Sequence, residues 1–175
     1  MQQRLINPEG GLEIVASETS SQNDFDFLIG KWTVHNRKLK TRLHNSTEWT
    51  EFEAAAECRT ILNGFGNIDS FQTVFDGKPF EGMSLRLFNP KTRLWSIYWA
   101  STESVVLEVP QVGSFENKVG RFYARDSFAG KPIIVQFLWD ATDLKTPVWS
   151  QAFSADEGGT WEWNWHMTFQ REVTG

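Results

Sequence analysis

The sequence is poor in the residues on which disulfide-stabilised, metal-binding and nucleic-acid-binding proteins depend. Its single cysteine, Cys58, cannot form an internal disulfide, and its three histidines show no spacing typical of a metal site. The formal net charge is −5, whereas phosphate binding needs a basic surface. No stretch approaches the roughly 20 apolar residues of a membrane-spanning helix. We therefore expect no metal, no other cofactor, no nucleic acid and no membrane partner.

A secretory signal is also missing from the pattern of the first residues. Residues 1–29 lack a basic start, a continuous apolar core and a small-residue cleavage site. Together with the lone cysteine, this predicts a cytoplasmic location. A chain of 175 residues fits one domain. The polar, aperiodic residues 1–23 are predicted to form an N-terminal arm, and residues 24–175 the folded domain.

Aromatic residues are what the sequence has in excess, with nine tryptophans and 14 phenylalanines against two tyrosines. Tryptophan rarely lies fully exposed, so this supply indicates a large core, a pocket or an aromatic interface.

The pattern along the chain predicts an all-β protein. Asp24 is placed to cap a short helical turn that ends at Gly30. Beyond it, apolar residues alternate with a period of two, and turn signals such as Asn63-Gly64 interrupt them about every ten residues. We therefore predict an up-and-down antiparallel β-barrel of about ten strands, in which pairing of the first and last strands leaves no open edge. A β-sandwich is the alternative, but it usually needs longer connections.

The segment from Asp24 to Trp32, Asp-Phe-Asp-Phe-Leu-Ile-Gly-Lys-Trp, resembles the opening of a barrel of the lipocalin and fatty-acid-binding-protein (calycin) superfamily. The resemblance implies that the helical turn closes one end of the barrel. It also implies that Trp32, after Gly30, packs under the barrel against an arginine of the last strand, which matches Arg171. Residues 24–172 as a whole resemble uncharacterised bacterial lipocalin-like proteins, which implies a small-molecule pocket but no assigned chemistry.

The segment Ser154-Ala-Asp-Glu-Gly-Gly-Thr-Trp161 is similar to the Asp-box hairpin of sialidases and related propellers. In that hairpin the aspartate, here Asp156, accepts hydrogen bonds from the turn and has a structural role. A propeller would repeat the motif in each blade, and this sequence contains it once. We expect a well-defined β-hairpin and no sialidase activity.

The last predicted strand alternates between two kinds of side chain. Trp161, Trp163, Trp165, Met167, Phe169 and Arg171 share one face and are expected to point inward, while Glu162, Asn164 and His166 share the other. The opposite orientation would line a polar lumen.

A ligand site inside the barrel follows from the inner faces of the predicted strands. Small residues from Ala54 to Cys58 leave room on one wall. Inner aromatic side chains would stack on a small hydrophobic or aromatic ligand, and an inward arginine at a rim would pair with a carboxylate if the ligand carries one. The predicted ligand-binding residues are Phe71, Arg86, Trp99, Arg125, Phe137 and Trp165.

Other functions remain open on the sequence alone. One is a barrel enzyme, an isomerase, cyclase or hydrolase, in which His166 would be the acid–base group. Another is a non-catalytic homodimer, since strands such as 133–139 carry bulky apolar residues on both faces, and a second copy would cover the outer one. Haem binding through His166 is the least favoured, because the residues after Trp32 depart from the Gly-x-Trp-x-Gly-x-Gly opening of haem-binding barrels.

Overall fold

The computed structural model describes residues 5–173 and confirms the predicted fold: ten antiparallel strands form one closed up-and-down barrel. Each strand pairs with its neighbours in sequence, and the first closes on the last. Short 3-10 turns lie at Asp26–Leu28 and Leu62–Gly64. The strands are β1 (Gly30–Leu39), β2 (Trp49–Ile61), β3 (Gly66–Phe75), β4 (Lys78–Asn89), β5 (Leu94–Ser101), β6 (Gln111–Glu116), β7 (Val119–Phe128), β8 (Lys131–Asp140), β9 (Val148–Ser154) and β10 (Glu162–Arg171).

The barrel has a floor and a mouth. The floor lies where β1 begins, under the turn at Asp26–Leu28, and the mouth lies where β1 ends, among the connections β1–β2, β3–β4, β5–β6, β7–β8 and β9–β10. No helix within residues 5–173 is long and apolar enough to cross a membrane.

Trp32 and Arg171 form the centre of the floor. Trp32 is fully buried and donates its indole N–H to the backbone oxygen of Leu28 at 2.8 Å. The guanidinium carbon of Arg171 lies 4.2 Å from the centre of the Trp32 ring, and its nitrogens donate to the backbone oxygens of Ile29 and Phe27, both at 2.7 Å. Gly30 is needed between them, because its φ is +124° and a Cβ there would lie 2.5 Å from the Arg171 guanidinium.

The predicted cap of the helical turn is wrong in one detail. Asp24 does not cap the turn at Asp26–Leu28; its carboxylate accepts the backbone N–H of Ser21 at 2.8 Å. The turn is shorter than predicted, so Asp24 belongs to the preceding bend of the chain.

Much of the aromatic excess fills the floor. The Phe25 ring contacts Trp95, Phe115, Phe122 and Trp139 at centroid distances of 5.0, 4.9, 5.8 and 6.1 Å. Most of these pairs are edge-to-face, the arrangement that the ring quadrupoles favour. This aromatic plug of Phe25, Trp95, Phe115, Phe122 and Trp139 fills the floor end of the barrel, and the remaining space extends towards the mouth.

The N-terminal arm covers part of the barrel wall. Arm residues Leu5–Glu18 lie beside β6 and β7, and Arg125 on β7 donates to the backbone oxygen of Gly10 at 2.6 Å. On the outer face of β8, Ile134 is only 1 % exposed, within the same chain. Packing within the chain therefore covers Ile134, an apolar position that we expected a second copy to cover. The homodimer stays a prediction.

A β-bulge in β10 overturns the predicted alternation of its side chains. Trp163 pairs with Ala152 and Trp165 pairs with Gln151, so Asn164 is an extra residue between them. Asn164 is fully buried and accepts a hydrogen bond from the Gln151 side chain at 2.9 Å, rather than pointing outward. The extra residue turns Trp163 to the outer face, where it stacks on His166.

The hairpin between β9 and β10 is held by Asp156. One carboxylate oxygen accepts the Thr160 backbone N–H and the Ser154 hydroxyl, both at 2.8 Å, and the other accepts the Thr160 hydroxyl at 2.7 Å. These hydrogen bonds, chiefly those from Thr160, lower the pKa of Asp156 to about 2. The carboxylate organises a turn at the mouth and does not line the barrel cavity.

Candidate functional site

The barrel encloses a cavity of about 590 Å³ between the aromatic plug and the mouth. Its walls come from alternate residues of nearly every strand, because successive side chains of a strand point to opposite faces. The rings that line it are those of Phe71, Trp99, Phe128, Phe137, Trp139, Trp149, Phe153, Trp165 and Phe169.

Five of the six predicted ligand-binding residues lie together on this cavity: Phe71, Arg86, Trp99, Phe137 and Trp165. The small wall of β2 also reaches it, since Ala56 is a lining residue while Ala54 and Cys58 are buried beside it. The period of two in the sequence therefore places these side chains on the inner faces of their strands.

Arg125 lies outside the cavity, contrary to the expectation that it points inward at the rim. The lining includes Asp126, Ser127 and Phe128 of β7 but not Arg125, which pairs with Ile134 on the outer face of β8. There its guanidinium forms an ion pair with Glu157 and donates to Gly10 of the arm. Its contacts hold the arm and the last hairpin against the wall.

His166, the predicted acid–base group, also lies on the outer face. Its Nδ1 lies 2.8 Å from the Ser150 hydroxyl, and its ring packs between Trp49 and Trp163 at centroid distances of 5.6 and 6.4 Å. Burial, together with the nearby charge of Arg37, lowers the pKa of His166. No histidine of residues 5–173 lines the cavity. The enzyme and haem interpretations that depended on an inward His166 therefore lose that residue as a catalytic group or ligand.

The tryptophans of the cavity are held by specific contacts. Trp165 donates its indole N–H to the side-chain oxygen of the buried Asn36 at 3.0 Å, and the Lys38 ammonium lies 4.1 Å from its ring centre. Trp149 meets Trp165 nearly at a right angle, with centroids 5.7 Å apart. These contacts keep flat apolar surfaces in place, which reduces the entropy lost when a flat ligand binds.

Polar side chains gather at the floor end of the cavity, and sequence reasoning identified only Arg86 among them. Arg86 lies 2.7 Å from the Asp69 carboxylate, and the same nitrogen donates to the Asn67 side chain at 2.9 Å. The second Asp69 oxygen accepts the backbone N–H of Ser84 at 3.0 Å. Gln111 completes this end. Arg86 thus faces the cavity with a carboxylate already at its side.

The mouth of the cavity is mixed in character. Leu107 and Val109, on the connection between β5 and β6, are about half exposed, at 54 % and 50 %, while they line the cavity entrance. Glu108 lies between them, and burial, with a smaller contribution from Asp126, raises its pKa. Arg42 brings a positive charge to the mouth, and its guanidinium carbon lies 4.6 Å from the centre of the Phe128 ring.

The Cys58 thiol beside this cavity should be unreactive. Burial raises its pKa from the ordinary 9.0 to about 11. Because the thiolate is the reactive form, the thiolate fraction at about pH 8 falls by roughly 100-fold. We expect dithiodipyridine to modify the native protein at least about 100-fold more slowly than the protein unfolded in guanidinium, measured by absorbance of the released thiopyridone. Equal rates would show that the wall at Cys58 is open to solvent.

No protein-family model matches this sequence, and a search of curated proteins gave no match. The assignment of a function therefore rests on the geometry of the cavity.

Proposed function

We propose that the chain is a lipocalin-like protein that binds a small, largely apolar and aromatic molecule inside its barrel. The cavity of about 590 Å³ carries the proposal. Pockets that enclose small molecules typically measure about 300–1,000 Å³ and combine apolar walls with a few polar groups. This cavity has both features, since aromatic rings form its walls and Arg86 and Gln111 lie at its closed end.

The lining also favours a flat ligand. Trp99 and Phe71 meet at a centroid distance of 6.0 Å, and Phe137 and Trp149 meet at 4.9 Å, both close to perpendicular. Rings in such pairs present both edges and faces to the space between them, and these are the surfaces that an aromatic ligand contacts. Binding of a small molecule is favoured over catalysis because the sequence-predicted acid–base group, His166, lies on the outer wall.

The test is a fluorescence titration with N-phenylnaphthylamine, an uncharged probe that brightens in apolar surroundings. We expect saturable binding near one probe per chain, with quenching of tryptophan emission from Trp99 and Trp165. Trp139 and Trp149 also line the cavity, so replacement of Trp99 and Trp165 by phenylalanine should reduce the quenching without abolishing it, while probe binding continues. A linear, non-saturating response would overturn the proposal, because it would indicate weak partitioning onto the surface.

The homodimer and the cytoplasmic location stay predictions from the sequence.

A further inference from the structure

The closed end of the cavity contains a buried ion pair whose charges cancel. The Arg86 side chain is 4 % exposed and that of Asp69 is 11 % exposed, and their nearest nitrogen and oxygen lie 2.7 Å apart. The rings of Phe25 and Trp139 lie 5.3 and 5.8 Å from the guanidinium carbon, so water screens this pair weakly. The site therefore offers directional hydrogen-bonding groups without a net positive charge.

Two polar atoms at this end lack a hydrogen-bond partner within residues 5–173. They are the Nε of Arg86, a donor, and the Oε1 of Gln111, an acceptor, and both atoms are buried. Both residues are more than nine-tenths buried and line the cavity. Buried polar groups in folded proteins nearly always have a partner, so a free donor and a free acceptor beside a cavity point to a bound polar group.

The strand register places these two residues at a defined separation. Arg86 pairs with Ile97 of β5, and Ile97 pairs with Gln111 of β6. Arg86 and Gln111 are therefore two strand spacings apart, about 9.6 Å between Cα atoms. Both side chains line the cavity at the same level of the wall, so one small polar group of a ligand can reach both.

We propose that the ligand carries an uncharged carboxamide-type group, whose carbonyl oxygen accepts from Arg86 and whose N–H donates to Gln111, attached to an apolar or aromatic body. The inference rests on the proposed function and narrows the ligand class. A primary carboxamide has both a donor and an acceptor, so it matches the Gln111 amide in either orientation of that side chain. A carboxylate has no proton for Gln111 Oε1 and would bring a second negative charge next to Asp69 in weakly screened surroundings.

The experiment compares naphthalene, a naphthalene carboxamide and the matching carboxylate, with dissociation constants measured by tryptophan quenching at neutral pH. For the wild-type chain we expect the carboxamide to bind at least about tenfold more tightly than the carboxylate and than naphthalene itself. Asp69→Asn leaves the Arg86 charge uncompensated, so the carboxylate should then bind more tightly than the carboxamide. Gln111→Leu should remove most of the carboxamide's advantage over naphthalene while naphthalene binding is retained.

If the carboxylate binds the wild-type chain as tightly as the carboxamide, or more tightly, the inference is wrong while binding in the barrel stands. If none of the three compounds binds, including naphthalene, the proposed function fails as well. If Asp69→Asn does not fold, as judged by far-ultraviolet circular dichroism, the wild-type ranking and the Gln111→Leu variant still decide the question.

Discussion

Replacing Trp32 with alanine should destabilise the barrel by about 3–5 kcal/mol, the range found for large aromatic side chains removed from a core. Trp32 is fully buried, and its indole N–H satisfies the backbone oxygen of Leu28. The substitution would leave that oxygen unpaired, open a cavity in the floor and remove the surface on which Arg171 stacks. Urea unfolding followed by circular dichroism measures the change in the free energy of unfolding.

Two further variants make the Trp32 prediction specific. Trp32→Phe keeps a ring under Arg171 but loses the indole N–H, so it should cost less than the alanine variant, about 1–3 kcal/mol. Trp49→Ala removes a half-buried tryptophan of the outer face that packs on Arg37 and His166, and it should cost about 1 kcal/mol. Equal losses from Trp32→Ala and Trp49→Ala would contradict a special role for the floor. If Trp32→Ala fails to fold, Trp32→Phe and Trp49→Ala provide the comparison.

The fold was predictable because the barrel is built from local signals. Apolar alternation sets the strands, and turn residues such as Asn63 and Asn117 adopt the positive φ values, 53° and 52°, that asparagine tolerates better than most residues. The same alternation placed Phe71, Trp99 and Phe137 on the inner wall, even though the strand of Phe137 carries bulky apolar residues on both faces. Arg125 was misplaced since polar neighbours, Asp126 and Ser127, give that part of β7 no clear alternation.

The bulge at Asn164 could not be predicted by the same reasoning. The sequence from Trp161 to Phe169 alternates almost perfectly, which predicts an unbroken strand. The structure instead adds one unpaired residue between Trp163 and Trp165, and every side chain before the bulge changes face. The bulge allows two contacts that an unbroken strand would not make. Asn164 forms a hydrogen bond with Gln151 inside the barrel, and Trp163 stacks on His166 on the outer wall.

The positions of Asn67 and Asp69 beside Arg86 were predictable from the sequence, but not from the alternation of apolar residues. Asp76-Gly77 is a typical two-residue hairpin turn, and such a turn pairs Phe75 with Lys78. Counting back along both strands from that pair places Asn67 opposite Arg86 and Asp69 opposite Ser84, as the structure has them. The register of the β3–β4 hairpin therefore brings Asp69 close to Arg86. The position of Gln111 depends instead on the longer connection between β5 and β6, whose length does not determine a register.

Replacing Ala56 with tryptophan should strongly weaken ligand binding while the barrel remains folded. Ala56 pairs with Trp32 and Phe71 and lines the cavity, so a larger side chain there enters the space of the ligand. We expect the dissociation constant of N-phenylnaphthylamine to rise at least about tenfold, equivalent to about 1.4 kcal/mol. The matched control is Ala55→Trp, because Ala55 is the next residue on the same strand, exposed on the outer face, and should leave the dissociation constant within about twofold of wild type.

A graded series at position 56 distinguishes a ligand inside the barrel from one bound elsewhere. Valine, leucine and tryptophan fill increasing fractions of the cavity, so affinity should fall in that order, with each variant's fold checked by circular dichroism. A ligand on the outer wall, near Trp161 and Trp163, would respond to Ala55→Trp or to neither change. Unaltered binding by the folded Ala56→Trp variant would therefore place the ligand outside the lumen and overturn the proposed function. A monotonic loss confined to position 56 would identify the space between the aromatic plug and the mouth as the site.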